Sequence, residues 1–68
     1  MDSKRIGTRL YDLRAKANKT QKEVADAIGV SVSTIAMYES GDRVPKDIYK
    51  KRLADYFHRS VTTIFFAD

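Results

Sequence analysis

Apolar residues recur along this chain at intervals of three and four rather than two, a spacing that predicts helices throughout and no sheet. Five short helices are expected. The first runs from about Ser3 to Ala17, with Ile6, Leu10, Leu13 and Ala17 on one stripe and Lys4, Arg5, Arg9, Asp12 and Lys16 largely off it. Asn18 can end it. Thr20 and Glu23 have capping-box spacing, so a second helix starts near Gln21, turns Val24, Ala25 and Ile28 inward and stops at Gly29. Ser31 caps a third, Val32 to about Ser40, in which Ile35 and Tyr38 continue the apolar face before Gly41. Past the loop Asp42-Arg43-Val44-Pro45, a fourth from about Lys46 to His58 sets Tyr49, Leu53, Tyr56 and Phe57 on one buried face. Ser60 caps a last helix, Val61 to about Phe66, which returns Val61, Ile64 and Phe65 to the core and leaves Phe66 over.

Length and composition narrow this picture. Sixty-eight residues leave room for one domain, 1–68, in the size range where only about 60% of the unfolded surface can be buried. Neither low-complexity linker nor repeat divides it. Without cysteine there is no disulfide framework or zinc ribbon, so packing or a partner subunit must hold the fold. Thirteen Lys and Arg against nine Asp and Glu give a net charge of +4, which points to a polyanionic partner. No apolar run is long enough to cross a membrane, and a cytoplasmic, soluble protein is expected. One histidine, no phosphate loop and no ligand-spaced carboxylate pair beyond the isolated Glu23 and Asp26 leave enzyme chemistry, a metal site or a small-molecule cofactor without a basis.

The informative stretch is residues 20–41, TQKEVADAIGVSVSTIAMYESG. Ala25 is small where two helices must cross closely, Gly29 makes the turn, and Val24, Ile28, Val30, Ile35 and Tyr38 brace the pair. This is the spacing of a helix-turn-helix, whose second helix enters the DNA major groove. Its elements TQKEVADAIGVS and STIAMYESG, with the tail PKDIYKKRLADYFHRSVTTIFF, closely resemble the Xre-like family of Cro and repressor-type proteins over nearly the whole chain. The resemblance implies an all-α, five-helix, lambda-repressor-like domain of the small phage or mobile-element type. It also implies a symmetric homodimer, formed free or on DNA, that regulates transcription, as a repressor, from a palindromic double-stranded DNA operator, in bacterial or phage-encoded settings at the nucleoid.

By the same resemblance, the family's glutamine falls on Gln21, touching phosphate and buttressing the start of the recognition helix. Its base-facing positions fall on Ser31, Val32, Ser33, Thr34, Ala36 and Met37. Better-known members often carry Gln, Asn or Arg there. Val32, Ala36 and Met37 offer only apolar contacts, such as one to a thymine methyl, which leaves Ser33 and Thr34 as polar readers and gives DNA shape a larger share. Lys22, Arg43 and Lys46 flank the recognition helix as phosphate candidates, supplemented by Ser40 and Lys19, whereas Lys50, Lys51, Arg52 and Arg59 lie away from it. A matching family position pairs Arg14 with Glu39, tying the first helix to the end of the recognition helix.

Tyr49, Tyr56 and Phe57 read as core, not as a stacking platform for single strands. Phe66, with Ile64 or Tyr56, is the candidate dimer contact, against ordinary core closure. With no effector domain in the sequence, control falls to protein concentration, a competing regulator, or a protein partner such as an antirepressor. Two alternatives stay open: an antitoxin or restriction-modification controller of the same fold, and a protein-interaction module that has lost DNA binding.

Overall fold

The computed structural model describes residues 2–67, which form four α-helices and a closing π-helical turn, with no strand among them. The helices are α1 (Ser3–Lys16), α2 (Gln21–Ile28), α3 (Val32–Ser40) and α4 (Asp47–Phe57); the turn covers Thr62–Phe66. Local chemistry sets most of these boundaries. Asp2 caps α1 by accepting from the Lys4 and Arg5 amides. Thr20 and Glu23 close a full capping box, Thr20 Oγ1 accepting from the Glu23 amide at 3.1 Å and Glu23 Oε1 from the Thr20 amide at 3.0 Å. That amide, with the Thr20 hydroxyl, holds the Glu23 carboxyl below its ordinary range. Gly29 and Gly41 end α2 and α3 with φ of 83° and 84°, a left-handed conformation that costs glycine nothing.

One element is shorter than expected. α4 spans Asp47–Phe57 because Lys46 supplies only an N-cap backbone and His58 turns left-handed as the C-cap. The last short helix lies where the spacing put it, wound as a π-helical turn, with Ser60 Oγ accepting from the Thr63 amide at 3.0 Å.

The buried side chains form one cluster: Ile6 and Leu10 of α1, Val24, Ala25 and Ile28 of α2, Ile35 and Tyr38 of α3, Leu53, Ala54 and Phe57 of α4, and Ile64 and Phe65. α1 lies across α3, α2 packs on both α3 and α4, and the π-helical turn covers α1. The apolar stripe of α1 stops short of its end: Leu13 is half-buried and Ala17 exposed. On α4 the buried face is turned by one position. Lys50, Leu53, Ala54 and Phe57 are buried, and Tyr49 and Tyr56 only half-buried, because small Ala54 admits close packing and the Lys50 stem covers apolar surface. The Lys50 ammonium ends 5.1 Å from the Phe66 ring centre, 6.0 Å from that of Phe65 and 3.6 Å from Asp47 Oδ1.

The turn also corrects the candidate dimer contact. Ile64 is 1% exposed, packed in the core, with its carbonyl accepting from Arg9 Nη1 at 3.0 Å, so it offers nothing to a second copy. Phe66 is 57% exposed, beside Arg5 and Ile6, whereas Tyr56 is half-buried beside Leu13 at the C-terminal ends of α1 and α4.

Burial pushes the Tyr38 hydroxyl above its ordinary pKa of 10.0, outweighing the nearby positive charge of Arg43. A folded-state value above the unfolded one means that the fold binds the proton more tightly. Stability from Tyr38 is complete below the unfolded value and is lost as pH rises through the folded one. Urea denaturation at pH 8 and above pH 10 is expected to show a fall in wild-type stability that Tyr38→Phe reduces; an equal fall in both would assign the alkaline loss elsewhere.

Candidate nucleic-acid interface

The site begins with how α3 is held. From α1, Arg14 reaches across as a two-pronged donor, Nε to Glu39 Oε2 at 2.6 Å and Nη2 to Glu39 Oε1 at 3.0 Å. Its Nη1 donates to the Lys19 carbonyl at 2.9 Å, fixing the turn between α1 and α2, while the guanidinium lies 5.3 Å from the Tyr11 ring centre. Donating to the Glu39 carboxylate raises the Arg14 pKa above its ordinary value against the opposing effect of burial. Gln21 Nε2 adds a donor to Glu39 Oε1 at 3.1 Å. Gln21 therefore braces the C-terminal part of α3, not its start. One carboxylate on α3 thus ties together α1, the following turn and α2.

A second attachment leaves little sign in the sequence. Gly7 is buried in the middle of α1, where a methyl would lie 2.7 Å from the Tyr38 carbonyl oxygen, 2.8 Å from the Glu39 carbonyl carbon, and closer still to the Glu39 oxygen. The backbones of α1 and α3 touch there. The available signal was a glycine placed inside a helix with no turn chemistry around it, where it costs about 1 kcal/mol relative to alanine. Arg52 is similarly placed by tertiary contact: its Nη1 donates to the Ile28 carbonyl at 3.0 Å, tying the end of α2 to α4.

With Ile35 and Tyr38 buried, the opposite side of α3 faces outward. Ser33, Ala36, Met37 and Ser40 follow one another there at helical spacing; Ser33 and Ser40 are exposed, and Ala36 and Met37 half-buried. Val32, exposed, and Thr34, half-buried, complete the N-terminal end. Ser31 is a cap first, its Oγ accepting from the Thr34 amide at 3.1 Å. It also exchanges hydrogen bonds with Thr34 Oγ1 at 2.8 Å and Ser33 Oγ at 3.1 Å. Three hydroxyls thus meet at the tip, each with further lone pairs and able to reorient its proton toward a base edge.

Beyond α3 the chain folds back on itself. The amides of Asp42 and Arg43 both donate to the Met37 carbonyl, at 3.0 and 3.2 Å, so Arg43 is pinned just past the helix end. Buried Pro45 anchors the loop, and Lys46 follows on the surface. Among the described residues neither Arg43 nor Lys46 makes an ion pair. Lys22 pairs with Asp26 at 2.9 Å, and Lys19 stands 4.0 Å from Glu23, both exposed pairs of the sort that contribute little and exchange readily. Ser40 Oγ lies 3.1 Å from the Met37 carbonyl and 2.9 Å from Asp42 Oδ2, so its single proton is already engaged beside a carboxylate.

The Helix-turn-helix family HTH_3 matches residues 10–64 of the chain. The cryptic phage CTXphi transcriptional repressor RstR of Vibrio cholerae serotype O1 is 37% identical over 57 residues, covering 84% of this chain and 51% of the repressor. An uncharacterized HTH-type transcriptional regulator of Archaeoglobus fulgidus is 36% identical over 61 residues, covering 90% of this chain and 86% of that protein. The chain therefore spans about half the length of the phage repressor and most of the archaeal regulator. Among solved structures, the restriction-modification controller protein C.AhdI from Aeromonas hydrophila is similar with a TM-score of 0.87 and 25% identity, over 94% of this chain and 97% of that one. The clp gene regulator ClgR from C. glutamicum shares the fold with a TM-score of 0.83, at 22% identity over 94% of this chain and 83% of its own. Matched over most of its length, the chain belongs to the Helix-turn-helix family HTH_3, a family of DNA-binding transcriptional regulators and not of enzymes.

Proposed function

We propose that the chain reads a specific double-stranded DNA operator with α3 in the major groove and represses transcription there as a homodimer. The observation that carries this is the outward side of α3, with three hydroxyls at its N-terminal tip and Arg43 and Lys46 beyond its C-terminal end. In this reading Ser33 and Thr34 exchange hydrogen bonds with base edges, while Val32, Ala36 and Met37 supply apolar contacts. Lys19, Lys22, Arg43 and Lys46 neutralise phosphates, with the second amide hydrogen of Gln21 at the edge, whereas Ser40, its proton engaged beside Asp42, contributes no donor. Two copies occupy half-sites of a palindrome about 34 Å apart. Phe66 is the exposed aromatic available to the dimer. The protein works at the nucleoid in the cytoplasm.

Selection of fragments from random duplex DNA, with titration of the best over a salt series, tests the reading. A two-fold symmetric motif preferred by about 10³ or more supports it, and uniform weak enrichment overturns it. Arg43→Ala is expected to weaken binding to operator and random DNA alike and to reduce the slope of log K against log salt by about 0.9. Ser33→Ala and Met37→Ala are expected instead to reduce discrimination at one base pair, by about 1 kcal/mol, with an unchanged salt slope. Equal losses on operator and random DNA in these two variants would move the reading face elsewhere.

A second reading, a restriction-modification controller, is favoured by the fit over 97% of C.AhdI. Neighbouring restriction and methylation genes would distinguish it.

A further inference from the structure

Away from α3, the C-terminal ends of α1 and α4 leave a groove of about 620 Å³ between them. Its floor is apolar: Leu13, Ala17, Tyr56 and an edge of Phe57. Leu13 and Tyr56 are only partly covered by the core they pack against. The Tyr56 and Phe57 rings meet edge to face at 5.0 Å, which fixes the floor before anything binds. A smaller recess of about 300 Å³ shares Leu13, Lys16 and Arg59 with the groove and extends it toward Arg9 and Thr63.

The rim is cationic, and two of its cations, Arg59 and Arg9, are held on backbone carbonyls rather than on carboxylates. Arg59 Nη1 lies 3.2 Å from the His58 carbonyl and 3.5 Å from that of Phe57, and Arg9 Nη1 is fixed on the Ile64 carbonyl. Among the described residues neither guanidinium pairs with an acid, nor does the exposed ammonium of Lys16. Lys19 adds a fourth cation, 4.0 Å from Glu23. Two carboxylates border the same surface, Asp12 and Asp55, and Asp55 is engaged by Lys51 at 3.5 Å. Positive charge is therefore in excess around an apolar floor.

We propose that this groove docks a short acidic, amphipathic segment of a partner protein, its apolar side chains on Leu13 and Tyr56 and its carboxylates on Lys16, Arg59 and Arg9. Phosphate would match the rim alone. An apolar floor gains nothing from a sugar-phosphate backbone but gains by covering leucine or phenylalanine side chains. Guanidiniums held by backbone carbonyls still present free N–H donors in the planar arrangement that carboxylates accept. No residue of α3, Arg43 or Lys46 lines the groove. Lys19 alone is shared with the phosphate contacts of the DNA reading, and the docking contacts proposed here, Leu13, Tyr56, Lys16, Arg59 and Arg9, are not.

The test uses the whole chain and a fluorescein-labelled synthetic peptide in which glutamates alternate with leucine and phenylalanine, followed by anisotropy and by amide chemical shifts. Saturable binding is expected, with shifts centred on Leu13, Lys16, Tyr56 and Arg59. Lys16→Glu, an exposed substitution that leaves the core untouched, is expected to lower affinity by about tenfold or more, and the double variant with Arg59→Glu further still. Circular dichroism confirms that each variant is folded. The proposal fails if the peptide does not bind, or if a version with serine in place of leucine and phenylalanine binds equally. It fails also if the shifts centre on α3, or if Lys16→Glu weakens duplex DNA binding as much as Arg43→Ala, which would make the groove a phosphate surface.

Discussion

Glu39→Ala is expected to destabilise the protein by about 3 kcal/mol, the lower end of the cost of stranding one partner of a buried ion pair. The pair is half-buried, with the Arg14 and Glu39 side chains 16% and 9% exposed. Removing the carboxylate leaves the half-buried Arg14 guanidinium charged with only the Lys19 carbonyl to accept from it, and takes the acceptor from Gln21 as well. A domain of this length has only roughly 3–10 kcal/mol to lose. The melting temperature is expected to fall by more than about 12 °C. The double variant Arg14→Ala/Glu39→Ala is expected to lose less than the two single losses combined, because removing both charges leaves neither stranded. A loss below about 1 kcal/mol for Glu39→Ala would mean that water compensates the pair, like an exposed one. The consequence for function is positional: Glu39 sits at the end of α3, so a variant that still folds is expected to hold α3 less firmly and bind DNA less tightly.

Gly7→Ala is the second large effect, and its sign runs against helix propensity. In an exposed helix interior, alanine in place of glycine stabilises by up to about 1 kcal/mol. At Gly7 the new methyl would lie 2.7 Å from the Tyr38 carbonyl oxygen and 2.8 Å from the Glu39 carbonyl carbon. Both belong to backbone, which cannot rotate aside as a side chain does, so α1 must move off α3. Overpacking costs about 1–3 kcal/mol and sometimes more, and a net loss of about 2 kcal/mol is expected in denaturant titration. Thr8→Ala, at the exposed neighbouring position, is expected to stay within about 0.5 kcal/mol of wild type. Equal stability of Gly7→Ala and wild type would show that the helices separate without penalty. Because the displaced contact is with α3, the variant is also expected to bind operator DNA more weakly at temperatures where it is fully folded.

Much of the fold was legible because its determinants act within one or two helical turns. Thr20 with Glu23, Ser31 with Thr34, and the left-handed glycines at 29 and 41 each complete their contacts locally, so spacing alone located α2 and α3. Arg14 and Glu39 are 25 residues apart, and it was the family resemblance, not the spacing, that joined them. Where periodicity was read across a whole helix, it drifted. On α4 the apolar letters at Tyr49 and Tyr56 marked a face that packing turned toward Lys50 and Ala54. The apolar tail left Ile64 readable both as core and as a contact for a second copy, and packing kept it in the core.

The sequence by itself determined the helix boundaries of the central pair, the helix-turn-helix, the positive charge and the membership of a DNA-binding family. These rest on short-range capping, on hydrophobic period and on a motif long enough to be specific. Only the tertiary structure decided which residues the helices use to hold one another: Gly7 against the backbone of α3, Gln21 on Glu39 rather than at the front of the recognition helix, and Arg9 on a carbonyl 55 residues away. It likewise decided where the cations sit, pairing Lys22 with Asp26 in an exposed contact and setting Lys16 and Arg59 around an apolar groove. The physical reason is common to all of these. Periodicity fixes which face of a helix is apolar, but how the helices rotate and approach is set by close packing of side-chain volumes from distant parts of the chain.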